Sequence, residues 1–424
     1  MGFNGSITPG WARAVAAGHD KHLPPPTDDL ALLDSCLDSS AGEAGDDLSR
    51  EVYCILGMPI DVVDMLSVLR RLDCAAATSS PLLLSTPNLN YLVSCQSNVE
   101  FRDSLLLSDL SPADGMTIVW LGRLLGVPIK DRVSGSDIFA ALKGSRSTDQ
   151  PLKLFLFGGD EGVAAAASHA LNAADGGAQC VGWYNPGFFS VEALSHDKII
   201  DTINASAADF LVVCLGSLKG QLWLKRNSAK LRIPIRSHFG ASLNFEAGAV
   251  KRAPRIIQKV GLEWLWRIKE ERHLWKRYWH DGRVLLRLLY TKVLPIIIYR
   301  QMTLASSRAK LTVEVVRRDG CVTLIFTGAA VSKNVTKTIS ALRTALATRG
   351  CERIVVDLTN TCVIDSRFLG LLLVFDKMVK LHEVTLVFTG VSAGMERILR
   401  VNSVDFLLST SDYASDNIEA AKLP

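Results

Sequence analysis

Asp114 stands before Gly115 in the string SPADGMTIVW, residues 111–120. An Asp-Gly pair turns readily, because glycine takes positive φ and aspartate bonds its own local backbone. A carboxylate held out beside an apolar run can also do chemistry. The residue types leave both readings open. A second group suits an anionic ligand. Gly158 and Gly159 follow KLFLF, and Gly216 follows FLVVCL. Glycines there let a phosphate approach backbone N–H groups. Thr86 and Asn88 follow PLLLS in the same way, although Asn88 also has the place of a helix cap before LNYLVSC. A third group is basic: residues 251–300 carry thirteen Lys or Arg against four Asp or Glu, in a chain whose net charge is only +4. Trp264, Trp266, Trp275 and Trp279 are interleaved with those cations. That mixture suits an anionic membrane surface, and packing of the rings onto a core is the competing reading.

Elements must hold these residues in place. The 424 residues are 48% hydrophobic and 21% charged, enough for two or three domains with real cores. Residues 1–50, with PPPTDD and GEAGDD, read as a disordered tail carrying one short helix at 29–37. From 51 to 250, short apolar runs ending in glycine or small polar residues alternate with helical stretches. This predicts a doubly wound α/β sheet with ligands beyond the carboxyl ends of its strands. Residues 251–305 read as a basic, Trp-rich helical appendage facing a membrane. Residues 311–424 read as a compact mixed β/α unit. LTVEVVRRDGCVTLIFTG gives two strands joined at Asp319-Gly320. RIVVDLTN is a third strand, RFLGLLLVFDKMVKLH a helix, EVTLVFTG a strand and AGMERILRVN a helix. Nine scattered Cys without a C-x-x-C pair argue for a reducing compartment. The start of the chain lacks a basic-then-apolar leader. VLLRLLYTKVLPIIIY at 284–299 is cut by Arg287, Lys292 and Pro295, short of the ~18 apolar residues of a membrane span. The expectation is a cytoplasmic protein, peripheral on the inner face of the cell membrane.

Eight strings in one order over residues about 52–280 resemble the WecG/TagA/CpsF glycosyltransferase family. They are STPNLNYLV, FRDSLLLSDLSPADGMTIVWLGRLLG, DRVSGSD, FLFGGDEGVAAAA, VGWYNPGFF, ADFLVVCLGSLKGQLWL, GAVKRAP and GLEWLWRIKEERHLWKRY. Residues about 311–415 resemble a STAS domain of the anti-sigma-factor-antagonist type, on IVVDLTNTCVIDSRFLGLLL. The resemblance implies a Rossmann-like transferase core with its helical appendage, followed by a small STAS domain.

It further implies a bacterial, inverting transferase for surface polysaccharide. N-acetylmannosamine or a related sugar would pass from a UDP donor to N-acetylglucosamine on undecaprenyl diphosphate. Asp114 falls on the family's general base, and Thr86 and Asn88 on a Thr-x-Asn that lines the same pocket. Gly158, Gly159, Gly216, Lys219 and Gln221 fall where the donor is bound. Arg252, Arg267, Arg272 and Arg277 match arginines that close over the diphosphate, with Arg252 and Arg272 singled out here. No D-x-D occurs in the chain, which accords with a reaction needing no metal and no cofactor beyond the UDP-sugar. Ser366 matches the serine phosphorylated in regulatory STAS members, and a helix cap is its plainer role. The implied partners are UDP-sugar, a lipid-linked acceptor, an anionic membrane and a protein contacting the STAS domain, with no nucleic acid. Homo-oligomerisation is left open.

The sequence also departs from the family pattern. Leu218, Gly220 and Gln221 stand where Pro, Gln and Glu are usual, Asn244 where Asp is, Glu271 where Pro is, and Arg367-Phe368 where Ser-Gly is. Those changes keep a second reading in view: a catalytically inactive sensor of nucleotide sugar or lipid that signals through the STAS domain.

Overall fold

The computed structural model describes residues 46–144, 151–174, 177–240 and 242–409. The helix expected at 29–37 lies outside them. Residues 46–50 correct the tail boundary: Asp47–Ser49 form a 3-10 turn with Leu48 fully buried, and Arg50 is buried beside it. An apolar residue and an ion-paired arginine anchor a stretch whose composition alone reads as tail.

Strands β1 (Val52–Ile55) and β2 (Met58–Asp61) form an antiparallel hairpin across Leu56-Gly57. The core is a five-stranded sheet. Its strands are β3 (Leu82–Leu84), β4 (Lys153–Gly158), β5 (Gln179–Tyr184), β6 (Phe210–Cys214) and β7 (Ile235–His238), in the order β3-β7-β6-β4-β5 and all parallel. Central β4 and β6 are continuous apolar runs because helices cover both faces. The edge strand β5 is half exposed and holds Gly182, where a Cβ would press on the Phe155 ring at 2.8 Å, so no apolar run announces it.

The chain leaves β4 for β5 on one side and β6 for β7 on the other. The sheet therefore reverses direction between β4 and β6, the crevice where such sheets take ligands. Beside β3, residues 108–113 run as an extra rail. Ser85 N donates to Leu110 O at 2.9 Å, Asp109 N to Leu83 O at 2.8 Å, and Asp61 N to Ser111 O at 2.9 Å.

The appendage is helical, as expected, and broken into several pieces. It comprises the helices Glu263–Glu270 and Trp275–Leu288, a π turn at Leu289–Val293, and the helix Leu294–Met302. It leads to a second, mixed sheet of order β11-β10-β9-β8, with β8 Thr312–Arg318, β9 Cys321–Ala330, β10 Arg353–Ile364 and β11 Thr385–Thr389. Asp319 (φ 43°) and Gly320 (φ 74°) make the expected turn between β8 and β9. The helix Ser366–Leu381 follows β10.

Alternation along β1 joins the two units. Val52 and Cys54 enter one apolar cluster with Phe368, Leu371, Leu372 and Phe375 of that helix. Tyr53 and Ile55 face the other way, into a cluster with Tyr91, Phe101 and Ile118. The hairpin is thus buried on both faces. Gly370 makes the approach possible, since a Cβ there would sit on Val52 O and 2.7 Å from Tyr53 Cα.

Candidate active site

Gly115 takes the turn: at φ 83° it precedes the helix Met116–Leu125 and gives it no side-chain cap. Asp114 is held instead by its backbone. Its N–H donates to Pro87 O at 2.9 Å, and Ala113 O accepts from Val133 N at 3.0 Å. The rail along β3 thereby delivers Asp114 next to Thr86-Pro87-Asn88, at the carboxyl end of the sheet. Asn88 has both roles considered for it. Its Oδ1 caps the helix Leu89–Ser97, accepting from Asn90 N (3.1 Å) and Tyr91 N (3.3 Å), and its side chain lies close enough to the Asp114 carboxyl to favour the ionised form.

That carboxyl keeps part of its surface open and is otherwise packed round by protein. Burial pushes its pKa up to about 7, with Glu263 and Asp137 adding repulsion and Arg132 pulling the other way. Arg132 donates to Glu263 at 2.7 Å, to Asp137 at 2.8 Å and to Gln258 Oε1 at 3.2 Å. Arg252 also pairs with Asp137. Burial opposes the Arg132 charge, but its three carboxylate neighbours, Asp137, Glu263 and Asp114, raise its pKa above the ordinary value. Asp137 is brought low by Arg132, Ser134 and Arg252, against the effect of its own burial. Sequence reasoning quoted Arg132 and Asp137 only as part of a string. Their charge and five-residue spacing were the available signal; that Glu263 and Gln258 of the appendage close on them was not.

Gly158 and Gly159 end β4 with φ of 94° and 89°, and Gly216 ends β6 with φ of 82°, so these glycines flank the reversal of the sheet. Gly159 N donates to Cys214 O at 2.8 Å, which stitches the two strand ends together. Gly216 precedes the helix Ser217–Asn227 without a side-chain cap, and its Cα faces open space. A bound anion can be met there by free helical N–H groups. Lys219 reaches sideways to Phe189 O at 2.8 Å, beneath the exposed Phe188-Phe189 loop.

Gln221 is a correction. It has no exposed surface, and its amide donates to Ser85 Oγ (2.9 Å) and Tyr91 OH (3.0 Å). Tyr91 in turn meets His238 Nδ1 at 3.0 Å, and burial lowers the His238 pKa to about 4. A neutral amide suits this enclosed polar cluster, where a carboxylate would be a buried charge. The neighbouring Gly220 leaves room for the His238 ring. Two of the departures from the family pattern therefore belong to one repacked cluster under the crevice.

Arg267 pairs with Glu271 at 2.7 Å, giving the unusual Glu271 a structural role. Arg272 is exposed on the short turn Arg272–Leu274, apart from the Arg132 cluster. Trp266 donates to Lys251 O at 2.9 Å, whereas Trp264, Trp275 and Trp279 are exposed. None of the four rings belongs to an apolar core cluster among the described residues.

In the STAS region Asp365, rather than Ser366, caps the helix, accepting from Phe368 N at 2.9 Å. Ser366 lines a cavity of about 230 Å³ with Arg300, Lys333, Tyr53 and Tyr299. Among the described residues, no helix is long and apolar enough to cross a membrane.

Residues 312–416 match the STAS domain. The chain is 27% identical over 252 residues to an N-acetylglucosaminyldiphosphoundecaprenol N-acetyl-beta-D-mannosaminyltransferase of Staphylococcus aureus (strain MW2), covering 58% of this chain and 90% of that protein. A protein of the same name from Bacillus spizizenii is 24% identical over 180 residues, covering 42% of this chain and 68% of its own. Residues 53–295, more than half the chain, match the Glycosyl transferase WecG/TagA/CpsF family. The chain therefore belongs to that family and is a hexosyltransferase.

Proposed function

We propose that this transferase moves N-acetylmannosamine, or a closely related sugar, from UDP to N-acetylglucosamine on a polyprenyl diphosphate lipid, in surface polysaccharide synthesis. The observation that carries the reading is Asp114: a carboxyl at the crevice, held beside Asn88 by the bond from its own N–H to Pro87 O, with a pKa of about 7. At that value it is half ionised near neutrality and still basic enough to accept a hydroxyl proton. The acceptor oxygen attacks the anomeric carbon as Asp114 takes its proton. The bond to the UDP oxygen breaks on the opposite face, so the configuration inverts. Arg252 and Arg272 meet the charge that UDP carries away, and no metal is required. Gly158, Gly159 and Gly216 cradle the diphosphate, Thr86, 4% exposed, backs the pocket from beneath without lining it, and Lys219 holds the 188–189 loop.

The acceptor is a lipid headgroup, so the enzyme works at a membrane surface, which we take to be the inner face. Exposed Trp275, Trp279, Leu286 and Tyr290 beside Arg283 and Arg287 support this. Ser366 is offered as a site of phosphorylation, because Arg300 and Lys333 line the same cavity. The STAS domain serves regulation.

The test is UDP release from UDP-N-acetylmannosamine with a soluble analogue of lipid-linked N-acetylglucosamine, comparing wild type with Asp114→Asn. Turnover lost in the variant, with UDP affinity kept, supports the reading. UDP binding without turnover across donors and acceptors supports the sensor alternative, which the departure at Asn244 motivates.

A further inference from the structure

We infer that the STAS domain is a positioning part of the transferase site: its helix Ser366–Leu381 holds, through buried charges, the rail that carries Asp114. This inference rests on the role of Asp114 proposed above. Two cations of the helix point into the transferase unit. Arg367, 5% exposed, donates to Val52 O at 2.7 Å and to Arg50 O at 2.8 Å. Lys377, 6% exposed, pairs with both Asp47 (2.6 Å) and Asp109.

Each cation continues into the rail. The Arg50 side chain, whose backbone Arg367 grips, donates to both oxygens of Asp61 at 3.1 and 2.7 Å and to Ser108 O at 3.0 Å. Asp61 then accepts from Ser111 N at 2.6 Å. On the second path Lys377 holds Asp109, whose other oxygen accepts from Leu83 N of β3 at 2.7 Å. Residues 108, 109 and 111 are thus fixed from the STAS side, and Asp114 follows three residues later. A buried lysine tolerates little slippage, since drawn away from Asp47 and Asp109 it would be an unpaired buried charge. The pairs therefore set register as well as hold the units together. A STAS helix docking only by apolar contact would have no use for buried Arg367 and Lys377.

The test uses the full chain with Lys377→Met, Lys377→Arg and, from the other side, Asp109→Asn, which keeps an acceptor for Leu83 N–H. Amide hydrogen exchange is read over 105–118, together with the pH profile of turnover. Lys377→Met and Asp109→Asn should speed exchange of residues 108–114 at least tenfold. They should lower kcat about tenfold with donor KM unchanged, and move the profile's inflection away from wild type. Lys377→Arg should restore all three. The exposed pair Arg400–Glu396 serves as control, and Arg400→Met should leave 108–114 unaltered. Unchanged exchange at 108–114 in folded Lys377→Met and Asp109→Asn would overturn the inference. So would an altered rail with the turnover profile intact. If wild type turns over no sugar donor, the transferase reading fails, and with it the catalytic half of the inference. The exchange data still decide whether the STAS helix holds the rail.

Discussion

Asp114 carries opposite consequences for stability and for activity. Burial raises its folded pKa to about 7, well above the ordinary aspartate value near ~3.9, so the folded protein binds its proton more tightly than the unfolded chain does. The favourable contribution is fully present below ~3.9 and is lost as pH climbs from there to about 7. Asp114→Asn should therefore raise the melting temperature at pH 8 by a few degrees, and have little effect near pH ~3.5, while lowering turnover by roughly 10²–10⁴-fold. For the wild type, kcat/KM should rise about tenfold per pH unit below the inflection and level off above about 7. Arg132 draws that inflection down. Arg132→Met should move it upward by about one unit and weaken closure of the appendage, with Arg132→Lys intermediate because an ammonium cannot bridge Asp137 and Glu263 in one plane. pH-rate profiles of the three proteins check this.

At the scale of elements, two close approaches make sharp predictions. Gly370→Ala drives a methyl into the β1 backbone and should cost about 1–3 kcal/mol in thermal or denaturant unfolding. On the appendage, Trp275→Ser with Trp279→Ser should cut co-sedimentation with vesicles containing anionic lipid several-fold while leaving turnover of a soluble acceptor unchanged. The elements also show what the sequence made legible. β4 and β6 were readable because a strand buried on both faces must be apolar throughout, and glycine marks where it ends. β5 was not, because an edge strand carries less apolar sequence, and Gly182 serves the Phe155 ring rather than its own strand. The β1–β2 hairpin was missed for a related reason: its apolar character depends on a domain more than 250 residues later in the chain. Asp114 could be singled out by its neighbours in sequence, whereas Arg132 gains its meaning from Glu263, 131 residues away. Gln221, aligned with a ligand position, lies inside because the residues enclosing it, Ser85, Tyr91 and His238, come from three separate segments.

For the molecule as a whole, the helix Ser366–Leu381 is almost entirely buried, and Phe406 beyond it lies under the Arg102 guanidinium at 3.8 Å. Its partner is the β1–β2 hairpin of the same chain, reached through the packed helix Leu294–Met302, where Tyr299 OH accepts from Ile364 N at 3.3 Å. Tethering turns this docking into a contest of concentrations. A hairpin held on the same chain presents itself at an effective concentration of ~1 mM. A free protein present at ~1 μM must then bind the helix roughly a thousandfold more tightly than the hairpin does to displace it from half the molecules. Changing the total amount of the protein leaves that threshold where it is, because the tethered competitor travels with every copy.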